Sequence, residues 1–437
     1  MRLTPFAALA LVASFVASAR AQSLVDVRRD SLLSSHRVVF TDGARAASPR
    51  AYDDSIRNVI STFYLDQFRS FYDPEAPYFL FMSRDAALAM GIGGAVRMRG
   101  YYDWGGAMPA PAFAPYLIPM RPDPTSMRHF GTTPAGTCLF FRVIGRNRTL
   151  GHYQLYIEAN FNGWESRDFK LKKAYAVIHD FTVGYDVTTF SDPAALPPMV
   201  DANGPNNKIA PSNVLVRYMP RHKNWVFAIS AETPSTRIGA DGTATKALAN
   251  WIPDAAAFVQ YQWGPTSHVR LAGIVRSLSY RDMKAARNHH RAGWGVMVST
   301  VNHPNAHLTT YLCANYGHGY ASMGGDLAIG NFDLIADPGR PGRLYSPGTL
   351  GWYAGVQWNF TPMLFVSASV SQSRLFSEGR DMNPDEYRHG LTACVNCFRN
   401  LTQRIQVGVE YVYGRRTDFS GRSRGANRIG AMTMFSF

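Results

Sequence analysis

The chain is 437 residues long, with 45 Lys and Arg against 31 Asp and Glu and a formal charge of +14 at pH 7. Apolar residues make up 46% and aromatics 13%, yet mean hydropathy is −0.17, so apolar and polar residues are interleaved rather than blocked. Interleaving excludes a bundle of transmembrane helices, each needing about 20 consecutive apolar residues, and four cysteines (Cys138, Cys313, Cys394, Cys397) exclude a disulfide-built fold.

Residues 1–21 read as a secretory signal: Arg2, an apolar run from Phe6 to Ala17, then Ala19-Arg20-Ala21 as an A-x-A cleavage site. Export by the Sec route and a mature start near Gln22 are expected. Residues 22–50 read as a flexible N-terminal segment. In the lead-in, 51–90, Ile56, Val59, Ile60, Phe63, Tyr64, Phe68 and Phe71 recur at helical spacing, predicting a short amphipathic helix between Asp53 and Phe71.

From Gly91 the period changes to two, the signature of a strand whose faces meet different surroundings. Strands are predicted near 91–102, 137–146, 152–161, 168–178, 181–188, 213–218, 224–232, 256–263, 267–278, 293–301, 306–317, 352–360, 363–373, 388–397, 401–413 and 429–437, sixteen in all. The charge-free stretch Leu344 to Ser373 is the clearest. Trp352, Ala354, Val356, Trp358 and Phe360 share one face, Tyr353, Gly355, Gln357 and Asn359 the other, and alternation resumes after a Thr361-Pro362 turn. The chain ends on Ile429-Gly-Ala-Met-Thr-Met-Phe-Ser-Phe437, again alternating.

Connections alternate in length. Those at 147–151, 179–180, 219–223, 264–266, 302–305, 361–362 and near Asn400 are short; those at 103–136, 162–167, 189–212, 233–255, 279–292, 318–351, 374–387 and 414–427 are long. The pattern predicts an all-β fold: a sixteen-stranded antiparallel transmembrane β-barrel over 91–437, with tight periplasmic turns and longer outside loops. A soluble β-sandwich gives turn lengths no reason to alternate by side. A barrel's last strand must pair with its first to leave no edge in lipid, so the chain can end inside the wall. Its aromatic terminus, Phe437, looks like the recognition signal of the outer-membrane barrel-assembly machinery. The Asp53–Phe71 helix then has three candidate partners: the periplasmic rim, the barrel mouth, or copies of itself in neighbouring subunits.

Motifs with catalytic echoes lack their context. Gly421-Arg-Ser423-Arg-Gly425 matches a nucleophile elbow but falls in a polar loop rather than between a strand and a helix. Gly91-Ile-Gly93-Gly94 is a fragment of a dinucleotide loop and reads as strand glycine at a curved wall. His289-His290 has no carboxylate or Cys at ligand spacing, Cys394-x-x-Cys397 has no second pair, and the Asn147 and Asn400 glycosylation patterns fall in periplasmic turns. Nothing calls for a cofactor or a chemical step.

The informative constellation is inward charge. Arg97, Arg99, Arg142, Arg146, Lys170, Lys172, Arg217, Arg270 and Arg276 lie on the parity opposite the apolar face of their strands, as do the acids Asp103, Glu158, Glu232 and Glu410. A charge facing lipid at mid-depth costs about 2–4 kcal/mol, so these groups are expected to line a lumen. Lys173 shares a face with Leu171 and Tyr175, which requires either a snorkelling side chain near an interface or a bulge in the register. Basic groups outnumber acidic ones, and a low-dielectric wall focuses their field toward small anions; export makes nucleic acid the wrong partner. The reading is passive diffusion of small hydrophilic solutes, with a barrel enzyme of lipase or protease type, or a structural or adhesive barrel with a closed lumen, as alternatives. The apolar wall would face outer-membrane lipid and lipopolysaccharide.

Phe169 to Asn207 (FKLKKAYAVIHDFTVGYDVTTFSDPAALPPMVDANGPNN), Leu271 to Tyr280 (LAGIVRSLSY) and Val407 to Gly414 (VGVEYVYG) resemble the DcaP-like trimeric porins of Gram-negative outer membranes. The resemblance implies a homotrimer of sixteen-stranded channels passing small anionic solutes such as dicarboxylates. It also implies that the third outside loop, Ser191 to Pro211, folds inward, with Asp192, Pro197, Asp201 and Asn206 at the constriction. Asp192-Pro193, Pro197-Pro198 and Gly204-Pro205 suit this, because irregular backbone at membrane depth is tolerated only inside a lumen.

Overall fold

Each period-two segment pairs with its sequence neighbours, and together they form a ring. The computed structural model describes residues 37–40, 79–83 and 88–437, apart from 107, 109, 122, 148, 150, 162–167, 240–243, 265–266, 341 and 403. The signal segment and the Asp53–Phe71 helix lie outside the described residues.

The wall strands are β1 (Leu88–Trp104), β2 (Cys138–Asn147), β3 (Gly151–Phe161), β4 (Phe169–Ile178), β5 (Phe181–Val187), β6 (Ser212–Tyr218), β7 (Trp225–Glu232), β8 (Asp254–Gln262), β9 (His268–Asp282), β10 (Arg287–Asn302), β11 (Leu308–His318), β12 (Gly348–Thr361), β13 (Leu364–Leu375), β14 (Tyr387–Asn400), β15 (Ile405–Asp418) and β16 (Ser423–Ser436). All neighbouring pairs are antiparallel, and β16 returns to β1 with Arg428 opposite Asp103 and Ser436 opposite Ala95. This is a closed sixteen-stranded barrel. Phe437 continues the seam, exchanging two backbone hydrogen bonds of 2.9 Å with Gly94. Beyond it the edge of β1 is taken by Phe79–Met82, antiparallel to Ala89–Ile92 and in line with the end of β16. Arg37–Phe40, within the segment expected to be flexible, adds to Phe79–Met82 in parallel.

Alternation becomes two surfaces. Outward residues such as Leu271, Val275, Val409 and Ile429 are exposed, while their inward neighbours Arg270, Arg276, Glu410 and Arg428 are buried. Exposed Trp225, Tyr261, Trp263, Trp294, Trp358 and Tyr411 add aromatics to the outer face, as expected of a wall meeting lipid headgroups.

The structure differs from the sequence reading at strand ends. Residues 279–292 and 414–427 are hairpins rather than long loops: β9 and β10 pair up to Asp282 opposite Arg287, and β15 and β16 up to Thr417 opposite Ser423. Ladder hydrogen bonds do not need an apolar face once the strands leave the bilayer, so hydropathy loses sight of them. The turn expected near Asn400 falls at 401–404, and Arg128–Thr133 forms an extra strand against Arg99–Trp104 within the expected 103–136 loop.

Lys173 is explained by a bulge. Glu158 pairs with Lys173 and Ala159 with Leu171, leaving Lys172 as the extra residue. Parity therefore flips within β4: Leu171 faces out at 53% exposure, while Lys173 and Tyr175 turn inward.

Candidate functional site: the lumen and the segments crossing it

Three segments between wall strands pack against inward-facing side chains. The first, between β1 and Arg128–Thr133, buries Met108, Phe113 and Ile118 against Cys394, Val412 and Ala426. The second is 188–211, between β5 and β6. The third, 319–347, contains a short helix, α1 (Gly325–Ile329), and buries Leu327 and Phe332 with Leu375 and Tyr387.

The middle segment is held along its length. Asp192 accepts from Ser299 Oγ at 2.5 Å and meets His268 Nε2 at 2.9 Å, with Arg270 3.8 Å away. Pro198 O accepts from Ser367 Oγ at 2.9 Å and Asn396 Nδ2 at 2.8 Å. The backbone N–H groups of Val200 and Asp201 donate to Glu410 at 2.7 and 2.8 Å, while Val200 O accepts from Arg97 at 2.7 Å. Asn206 donates to Asp326 Oδ2 and Gly390 O, both at 2.9 Å, and accepts from the Asp326 N–H at 3.1 Å. Irregular backbone is thus satisfied by wall side chains, which burial demands. Pro197 packs close over Gly355, where a Cβ would lie 2.8 Å from the ring; strand glycine admits a neighbouring backbone.

Most of the arginines expected to line a lumen act as anchors for these segments. Arg99 donates to Pro111 O at 2.6 Å and pairs with Asp201 at 3.2 Å. Arg270 donates to Gln260 at 2.8 Å and to Ser191 O. Arg276 pairs with Asp254 at 2.9 Å and Asp333 at 3.2 Å, and donates to Gly319 O at 2.9 Å. Arg217 pairs with Asp186 at 2.6 Å, with Lys173 beside it at 3.9 Å. Arg142 is buried with its guanidinium 5.0 Å over the Tyr156 ring. Glu158 receives Lys172 at 2.7 Å and Tyr156 OH at 3.1 Å, and Glu232 receives Asn213 at 3.2 Å and the Thr189 N–H at 2.8 Å. The side chain of Arg146 lies outside the described residues.

A second group keeps contact with solvent. Lys170 pairs with exposed Asp168 at 3.4 Å and is itself 56% exposed, and Lys172 is 34% exposed. Arg97 and Lys208 are half-buried. Burial, then repulsion from Lys172, push the Lys208 ammonium down to about 8. By contrast, Asp103, Glu158, Asp186, Asp192, Asp201, Glu232, Asp254, Asp326, Asp333 and Glu410 are all buried.

Sequence reasoning missed Arg428, whose guanidinium forks onto Asp103 at 2.6 and 2.8 Å, reaches Asp201 at 3.1 Å and donates to Pro111 O at 2.5 Å. Its signal was inward parity with Gly430 and Met432, but its partner is 325 residues away. Also missed were His268, Lys208, Asp254, Asp326 and Asp333: Lys208, Asp326 and Asp333 sit in the crossing segments, where no periodicity marks a facing direction, whereas His268 shares the inward parity of Arg270 and Asp254 begins β8.

The catalytic echoes resolve into structure. Ser423 shares a 2.8 Å hydrogen bond with Thr417 across a strand pair. His290 bonds Ser279 at 2.8 Å and His289 stacks on Tyr280. Cys394 faces inward, donating to Glu410 at 3.3 Å, whereas Cys397, an odd number of residues on, faces outward, and neither is bridged.

No family model matches the chain. No curated protein matches it either. Solved structures do. The outer membrane channel DcaP of Acinetobacter baumannii superposes with a TM-score of 0.68 at 19% identity over 80% of this chain and 98% of that one. The anion-selective porin from Comamonas acidovorans gives 0.52 at 9% identity over 80% and 100%, and OmpT of Vibrio cholerae gives 0.50 at 10% over 80% and 98%. At these identities the similarity is one of fold.

Proposed function

We propose that the chain is an outer-membrane porin through which small hydrophilic solutes diffuse passively, with preference for anions. The fold shared with DcaP and the Comamonas acidovorans anion-selective porin supports a channel in a Gram-negative outer membrane. The observation carrying the anion preference is an asymmetry of exposure. Apart from Asp168, exposed beside Lys170, the inward acids are buried and bonded, whereas Arg97, Lys170, Lys172 and Lys208 keep solvent contact, so the field felt by a solute is positive. The 188–211 segment, with Asp192, Pro197, Asp201 and Asn206, acts as the constriction: its anchors run from β9 and β10 to β15 and β16. Dicarboxylate-like solutes fit a path offering separated cations. No chemical step, metal or cofactor takes part, and assembly is as a homotrimer, inserted through recognition of Phe437.

The test is reversal potential in planar bilayers under a salt gradient. Lys172→Glu with Lys208→Glu should move selectivity toward cations; an unmoved reversal potential in a folded double variant refutes the assignment. A second reading, a structural barrel with a closed lumen, is favoured by the extent to which three segments fill the interior. It is separated by the wild-type protein itself, which would then conduct nothing.

A further inference from the structure

One cationic cluster lies outside the lumen altogether. At the long-loop end of β13 and β14, Arg374 and His389 are direct cross-strand partners. Arg415 lies one step along on β15, paired with Leu391. Arg388 occupies an irregular position between Tyr387 and His389, where the β14–β15 register shifts.

These side chains point away from the lumen. Ser373 and Leu375, flanking Arg374, face inward onto Asn206 and the α1 cluster, and Gly390, beside His389, abuts Asp326. Gly414 and Arg416, flanking Arg415, meet Phe113 and Tyr116 inside. By strand alternation Arg374, His389 and Arg415 are therefore on the outer wall.

Their depth is marked by aromatics. The Arg374 guanidinium lies 5.3 Å over the Phe376 ring, which meets Tyr316 at 6.3 Å, which meets Trp294 at 5.9 Å, and both of the last two are exposed on the outer wall. Such rings gather at headgroup level.

The charge is uncompensated. Arg374, Arg388 and Arg415 all act electrostatically on the His389 ring. Nearby carboxylates are committed elsewhere: Glu378 to Arg380 and His318, Asp385 to Arg422. Among the described residues, no carboxylate pairs with any of the four. Arg374 Nε and His389 Nδ1 are shielded yet have no hydrogen-bond partner there; for the guanidinium N–H this is costly unless a ligand supplies an acceptor.

We propose that Arg374, His389 and Arg415, with Arg388 beside them, form a phosphate site on the outer wall that takes the phosphorylated headgroup of a lipid in the outer leaflet. Guanidinium forks match phosphate oxygens bidentately, and a site at headgroup level meets a lipid phosphate without leaving the membrane plane. The side of the membrane rests on the outer-membrane reading above.

The test is native mass spectrometry of the full chain refolded in detergent, titrated with bis-phosphorylated lipid A, with lipid A stripped of its phosphates, and with inorganic phosphate. Wild type should retain the bis-phosphorylated lipid at least tenfold better than the stripped one. Arg374→Gln with Arg415→Gln should remove that preference while heat-modifiability on gels and single-channel conductance stay unchanged. Should the double variant not fold, His389→Gln alone should lower retention severalfold. Equal retention of both lipids, unchanged preference in the folded variant, or capture of inorganic phosphate without the lipid overturns the site. Conductance without lipid preference sinks this proposal and leaves the channel standing; lipid preference without conductance does the reverse.

Discussion

Replacing Arg428 by Gln is the sharpest perturbation of the lumen. Arg428 joins three pieces of chain: Asp103 on β1, the 110–113 stretch through Pro111 O and Ala110 O, and Asp201. The side chains of Arg428, Asp103 and Asp201 are at most 2% exposed. Gln removes the charge and the fork, leaving Asp103 with the Met108 N–H at 3.2 Å, and Asp201 with Arg99 at 3.2 Å and the N–H groups of Phe113 at 3.0 Å and Asn203 at 2.9 Å. Breaking one side of a buried ion pair costs about 3–5 kcal/mol. The wall itself is held by continuous ladders on both sides of the seam, so the cost falls mainly on the two crossing segments. A shift of about 3 kcal/mol changes their docked-to-undocked ratio by about two orders of magnitude. Single-channel recording should therefore reveal a larger or newly populated high-conductance state. Arg428→Lys, which keeps the charge without the planar fork, should be intermediate. The Asp103→Asn, Arg428→Gln double variant should recover part of the loss, because the stranded carboxylate is gone. A folded Arg428→Gln protein with wild-type conductance and selectivity would refute the idea that this arginine docks both segments.

Three further outcomes follow from the same geometry. Because the Lys208 ammonium titrates near 8, its charge is lost as pH rises, so anion preference should fall between pH 7 and 9 and be insensitive to pH in Lys208→Arg. Asp326, buried against Tyr387 and Asn206, is raised by burial from 3.8 to about 6. The folded state thus binds its proton more tightly, and the stabilisation is full below 3.8 and lost as pH rises through about 6. Conductance should accordingly be lower at pH 5 than at pH 7, and flat with pH in Asp326→Asn. Gly325 has φ +59° and lies against the Asn206 carbonyl. Gly325→Ala adds about 1–2 kcal/mol of backbone strain to a steric clash, and should raise conductance and lower the temperature of heat-modification; an unaltered channel would show that the Asn206–α1 contact does not limit passage.

The barrel was legible because its cause is local. A strand between lipid and an aqueous or ionic interior must alternate at every step, and Trp352 to Phe360 or Ile405 to Tyr413 carry that requirement in nine residues each. The closing seam was inferable too, since an open edge in lipid is forbidden. Strand ends were not: Arg281 and Asn288 stand directly opposite each other on an intact ladder beyond the apolar band, and polarity no longer separates strand from loop there. The bulge at Lys172 was visible only as the parity fault at Lys173, with two explanations open until the pairing with Glu158 decided between them.

Outside the bulge in β4, what the sequence determined by itself is which side chains of the wall face inward, because pleating ties facing to parity. What only the tertiary structure decided is what those inward groups do. Arg276 and Lys172 are equivalent in pattern, yet Arg276 is enclosed between Asp254 and Asp333 while Lys172 keeps a third of its surface in solvent. The difference lies in three crossing segments whose paths have no period, and in partners as remote as Asp103 and Arg428. Burial and charge pairing are properties of the closed ring and its contents, so they appear only once distant strands stand side by side.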